Sequence, residues 1–102
     1  MSVFRLVFSQ EAKEGVADAV KYYNGQLPGL GKRFKKEVHR QLLQLKQNPL
    51  THTVRYDNLR LAVLNKFPYS IHYTVHNQDV VVYLIISDFR NPSQYWVKTD
   101  GE

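Results

Sequence analysis

Leu27-Pro28-Gly29-Leu30-Gly31-Lys32-Arg33-Phe34 is the stretch on which the fold turns. With Gly25 just upstream, it gathers three glycines and a proline, a composition that ends a helix. Both flanks carry helical spacing. Upstream, Ala12, Val16, Ala19, Val20 and Tyr23 predict a first helix from Gln10 to about Asn24. Ser9 precedes it as an N-cap whose hydroxyl accepts from the free amides of the first turn, and Glu11 suits the positive end of the dipole. Gly15, inside this helix, costs up to about 1 kcal/mol against alanine and reads as a point of close packing. Downstream, Phe34, Val38, Leu42 and Leu45 form the apolar stripe of a second helix from about Leu30 to Gln47, with Lys32, Lys35, Lys36 and Arg40 off the stripe. Asn48-Pro49 closes it, because a residue before proline is pushed out of the α region. The two helices make a hairpin.

Outside the hairpin the pattern changes to period two. Val3 to Phe8 reads as a strand with Val3, Arg5 and Val7 on one face and Phe4, Leu6 and Phe8 on the other, largely buried. After Pro49 come a short strand, Thr53 to Tyr56, a tight turn at Asp57-Asn58, and a strand whose inner face is Leu59, Leu61 and Val63. Phe67-Pro68 interrupts that pattern. It resumes with Tyr69, Ile71, Tyr73 and Val75 alternating with Ser70, His72 and Thr74. His76 to Asp79 turns the chain into Val80 to Ile86, apolar throughout, as a central strand covered on both faces would be. The order β-α-α-β-β-β predicts an α+β domain, a helical hairpin packed on a small, mostly antiparallel sheet with the first strand beside the last. Residues 1–97 make one domain and 98–102 a polar C-terminal tail.

A chain of 102 residues with 43% hydrophobic residues can bury one modest core. It has no cysteine, which excludes disulfides, thiolate metal sites and cysteine nucleophiles. The N-terminus lacks the apolar run of a signal peptide, and Val80 to Ile86 is too short to span a bilayer, so a soluble, cytoplasmic protein is expected. The formal net charge of +5 favours nucleic acid or an acidic protein as partner. His39, His52 and His76 show no metal-ligand spacing, and Gly29-Leu30-Gly31 follows no strand, so neither a metal nor a small-molecule cofactor is expected. The basic residues Lys32, Arg33, Lys35, Lys36 and Arg40 read first as a solvated face, and otherwise as a surface for an acidic partner or nucleic acid.

Five strings resemble, in order, those of the RelE/ParE toxin superfamily. Leu27 to Phe34 resembles the PGLGxRF connection of ParE-like toxins, and Asn48-Pro49 their helix ending. Phe67 to Tyr73 is similar to FPYxIxY, Val80 to Ile86 to the apolar strand that follows, and Phe89 to Trp96 to the closing RxPxxW segment. The resemblance implies the toxin of a bacterial type II toxin–antitoxin system, a plasmid-stabilisation protein that inhibits growth. RelE-type members cut messenger RNA on the ribosome, ParE-type members poison DNA gyrase, and both are held inactive by an antitoxin whose flexible segment folds over them. Relatives that only bind antitoxin are a third class.

Cleavage of the RelE kind needs cations at the scissile phosphate, a proton acceptor for the 2′-hydroxyl and rings that hold splayed bases. In those enzymes an arginine follows the tyrosine of the penultimate strand; the matching residue here is Ser70, which cannot supply the charge. Where they offer lysines on the preceding strand, this chain has Leu61 and Val63, with Arg60 and Lys66 nearby. A ribonuclease reading would therefore rest on Arg60, Arg90 and Tyr95, an incomplete set. A binding reading places Arg90, Tyr95, Trp96 and Lys66 at the cellular target, although Trp96 also suits the capping of a sheet edge. Some relatives use histidine as the acid–base group. His72 is expected on the face opposite Tyr69, Ile71 and Tyr73, half-exposed and without a catalytic role. An apolar groove beside the helical hairpin and the sheet is the expected seat of an antitoxin strand or helix.

Overall fold

The computed structural model describes residues 4–89. Along the chain run β1 (Arg5–Phe8), α1 (Gln10–Gln26), α2 (Leu30–Gln47), β2 (Val54–Tyr56), β3 (Leu59–Val63), β4 (Tyr69–His76) and β5 (Asp79–Ser87). The strands form one sheet in the order β1-β5-β4-β3-β2, with β1 parallel to β5 and the other pairs antiparallel. The first strand thus lies beside the last, as expected, and α1 and α2 cover one face.

Local chemistry fixes the joints. Ser9 accepts from the Ala12 amide at 2.9 Å, and its hydroxyl donates to the Tyr83 carbonyl at 2.6 Å, so one side chain caps α1 and ties it to β5. The helix break falls later than the sequence suggests, α1 running on to Gln26. Gly29 then takes φ +89°, a left-handed conformation that a side chain resists. It offers no capping side chain to α2, and Asn24 of α1 supplies one by accepting from the Gly31 amide at 2.8 Å. Two other glycines are required for space. A Cβ on Gly15 would sit 2.3 Å from the Ile85 carbonyl oxygen, and one on Gly31 2.5 Å from that of Val20. The expectation that Gly15 marks close packing holds: α1 rests directly on the backbone of β5.

Phe34, Val38, Leu42 and Leu45, the stripe read from the sequence, are all buried against Ile71, Tyr73, Val80, Val82 and Ile85. Each contributes about 1.5–3 kcal/mol by leaving water. Tyr23, Phe34, Phe67 and Tyr69 pack with ring centroids 5.0–6.0 Å apart, clamping both helices onto the β3–β4 connection. The interruption at Phe67-Pro68 is thus a packing anchor.

Three expectations are corrected. The inner face of β3 is not Leu59, Leu61 and Val63. Ala62 pairs with Ile71 and Arg60 with Tyr73 beneath the helices, while Leu61 pairs with His72 and Val63 with Ser70 on the outer face. Apolar residues at successive positions made the alternation ambiguous, and the small Ala62 is the one that fits the packed core. Nor is β1 largely buried. It is an edge strand whose Arg5 and Val7 are exposed, Arg5 pairing with Asp79 at 2.9 Å. His72, finally, lies on the outer face as expected but is buried, 4% exposed.

Candidate functional site

The outer face of the sheet is where the chemistry of cleavage would have to stand. Ser70 and His72 project there from β4, beside Leu61 and Val63 of β3. A bulge in β5 adds Leu84 and Ile86: His72 pairs with Leu84 and Tyr73 with Val82, so Tyr83 is skipped and the parity flips after it. Leu59, Leu84 and Ile86 are all buried. The Ser70 hydroxyl donates to the Asp88 carboxylate, and the Tyr56 hydroxyl shares a 2.6 Å hydrogen bond with Nδ1 of His72. Burial holds the His72 imidazole below its ordinary pKa, a shift that the nearby Asp88 carboxylate opposes. This arrangement is polar only in patches. It offers a neutral histidine and a hydroxyl bound to a carboxylate, and Ser70 brings no positive charge to the position of the RelE-type arginine.

Arg60 is on the other side of the sheet. It is half-buried, and its Nη1 donates to the His52 carbonyl at 2.5 Å, holding the segment between α2 and β2. Its register partner Tyr73 is fully buried; the Tyr73 hydroxyl donates to the Pro49 carbonyl at 2.6 Å, and burial pushes its pKa up to about 12. The structure therefore separates Arg60 from His72 by the thickness of the sheet. Lys66 is exposed in the β3–β4 connection. Arg90, Tyr95 and Trp96 lie outside the described residues, as does the 98–102 tail. The Tyr56–His72 and Ser70–Asp88 pairs escaped the sequence reading, because partners 16 and 18 residues apart meet only through strand register.

The other feature is a groove of about 970 Å³ along the helical hairpin. Ala12 and Val16 of α1, Val38 and Leu42 of α2, Phe8 of β1 and Ile85 of β5 line it with apolar surface. Lys13, Lys32, Lys35, Lys36, His39 and Arg40 also line it, and no carboxylate does among the described residues. Leu43, 48% exposed, adds apolar surface. Glu37, one residue from Val38, faces elsewhere: Arg40 bonds it at 2.5 Å and the Asn65 amide donates to it at 3.1 Å. Its carboxyl is held below the usual range, first by the Arg40 hydrogen bond and also by the Asn65 amide and the Lys66 charge. Helical periodicity revealed the apolar stripe and the lysines off it. That α1 leaves a gap between them is a matter of helix placement.

The model of the ParE toxin of the type II toxin–antitoxin system parDE matches residues 6–92, most of the chain. No curated protein matches the chain. Among solved structures, one described as the chromosomal ParDE toxin–antitoxin system from P. aeruginosa superposes with a TM-score of 0.75. That match covers 83% of this chain and 96% of the other at 16% sequence identity, a likeness of fold. Helical hairpin, mixed sheet, parallel first and last strands and family match converge: the chain belongs to the ParE toxin family of type II toxin–antitoxin systems.

Proposed function

We propose that this protein is a growth-inhibiting toxin that acts in the cytoplasm by binding its target rather than by cutting RNA, with DNA gyrase the target by family precedent. The carrying observation is the outer sheet face, where Ser70 is bound to Asp88 and flanked by Val63 and Leu61 at the positions that cleavage of the RelE kind would fill with cations. A phosphate in its transition state would find no compensating charge from those residues. The engagement of Arg60 with the His52 carbonyl on the opposite face counts against Arg60 as a member of the ribonuclease set Arg60, Arg90 and Tyr95. Target contact falls to Lys66, Arg90, Tyr95 and Trp96.

The groove supports neutralisation by an antitoxin. An antitoxin segment with an apolar stripe and acidic flanks would fold into it, its stripe over Val16, Val38 and Leu42 and its carboxylates over Lys32, Lys35 and His39.

The test is to induce the chain alone in bacteria and follow DNA, RNA and protein synthesis by pulse labelling, with a supercoiling assay on purified gyrase alongside. DNA synthesis should falter first and supercoiling should be inhibited. Protein synthesis stopping first would instead point to ribosome-dependent cleavage, with Arg90→Ala the variant to examine. Unimpaired growth with soluble, folded protein would mark a module that only binds antitoxin.

A further inference from the structure

Next to the groove, reached around α2, lies a second recess of about 370 Å³. Its walls are apolar: Tyr23 from the end of α1, Leu30 from the start of α2, and Phe67 and Pro68 from the β3–β4 connection. Three cations line it as well, Arg33 and Lys36 one turn apart on α2 and Lys66 across from them. No carboxylate lines it among the described residues, and none of the three cations is in an ion pair there. Glu37, the nearest carboxylate in sequence, is held by Arg40 and the Asn65 amide, although it feels the Lys66 charge.

One of these charges, Arg33, stands where it runs against helix stability. The first turn of α2 has no acidic residue, and Lys32 and Arg33 stand at the positive end of the helix dipole. A cation at that end is disfavoured, and a carboxylate facing Arg33 would offset the cost.

The shape of the recess says which kind of partner suits it. Apart from the Tyr23 hydroxyl, its apolar walls present no polar side-chain group, and the Phe67 and Pro68 carbonyls already accept from the Tyr69 and Asp88 amides at 2.8 Å each. A nucleotide base entering it would meet donors from the cations, but among the lining side chains only the Tyr23 hydroxyl could accept from its ring N–H and exocyclic amino groups. A small inorganic anion would leave the apolar walls unused. A bulky apolar side chain flanked by carboxylates satisfies both the walls and the cations.

We propose that this recess is a docking point for an acidic peptide segment of a partner protein, one apolar side chain seated on Phe67 and Tyr23 and its flanking carboxylates facing Arg33, Lys36 and Lys66. It rests on the reading that the chain works through protein contacts, but it concerns a surface distinct from the antitoxin groove. Lys36 lines both recesses, so Arg33 and Lys66 are the residues that report on this one alone.

The experiment titrates the ¹⁵N-labelled full chain with the acetylated, amidated pentapeptide EDFDE, its neutral counterpart QNFNQ, and AMP. EDFDE should shift the amides of Leu30, Arg33, Lys66 and Phe67 saturably, and QNFNQ should bind more weakly. Arg33→Glu and Lys66→Glu should each raise the Kd of EDFDE by at least roughly fivefold, the scale of reversing an exposed charge contact. Lys46→Glu, exposed at the far end of α2 and lining neither recess, should leave it unchanged. Both diagnostic residues are exposed, and a dispersed spectrum of each variant establishes that it folds. Equal binding of QNFNQ, displacement of EDFDE by AMP, shifts centred elsewhere, or unchanged affinity in both variants would overturn the proposal. None of these outcomes bears on growth arrest or gyrase inhibition, so the two readings fail separately.

Discussion

At the scale of single residues, the buried imidazole of His72 is the group whose environment departs furthest from what the sequence suggested. Alternation along β4 placed it correctly on the outer face, yet that face is not open at this point: Ser70, Leu59, Leu84 and Ile86 are buried on it too. Burial favours the neutral ring, so its pKa in the folded chain lies below the ordinary histidine value, with Asp88 pulling the other way. The sign of the stability effect follows. The unfolded chain binds more protons as the pH drops below about 6.5, the ordinary value. Stability from this group is therefore fully present above that pH and is lost as the pH falls through the lower, folded pKa. The urea midpoint should fall between pH 7.5 and pH 5, and His72→Gln should flatten that fall. Parallel declines in the two proteins would assign the slope to other groups. This is a different role from acid–base catalysis, which would need the ring within reach of a substrate.

At the scale of elements, legibility in the sequence followed how local each signal was. The α2 stripe, the Asn48-Pro49 stop, the Ser9 cap and the Asp57-Asn58 turn, with φ of +44° and +65°, are all local and all legible. The β3 face and the outer arrangement of β5 were not, because each depends on a partner strand. In β5 the bulge at Tyr83 turns Val80 and Val82 inward and then Ile85 inward, a three-residue step that no period-two reading accommodates. In the same region α1 comes directly onto the β5 backbone at Gly15. Because the Ile85 carbonyl would lie 2.3 Å from a Cβ on Gly15, and both groups are backbone, relief requires α1 to lift off the sheet. Gly15→Ala would gain helix propensity in isolation, yet the displacement should cost about 1–3 kcal/mol, the range of overpacked cores. Thermal unfolding of the variant measures this. A raised melting temperature would mean that the helix and strand separate more easily than their packing implies.

At the scale of the whole molecule, the charges are sorted. Glu11, Glu14 and Asp18 line a cleft on one side of α1, beside Tyr69 and Ser87, while the groove on the other side gathers lysines and an arginine. A net charge of +5 therefore understates the field along the groove, which would draw an acidic antitoxin segment into register before any apolar contact forms. Lys32 separates this function from stability. With Gly29 as the N-cap, Lys32 is the third residue of α2, where a carboxylate is normally favoured and a cation is not. Lys32→Glu should therefore stabilise the free protein, by about 0.3–1 kcal/mol on the scale of helix-dipole effects. The same change removes a cation from the groove, so association with the cognate antitoxin should slow roughly tenfold at low salt, with the gap closing as salt is raised. Stopped-flow association at two salt concentrations, beside a melting curve, gives both signs from one variant. Lower stability with slower binding would make Lys32 a structural residue. Higher stability with unchanged binding would place the antitoxin elsewhere on the toxin. Opposite signs are what a residue kept for its partner, against the preference of its own helix, must give.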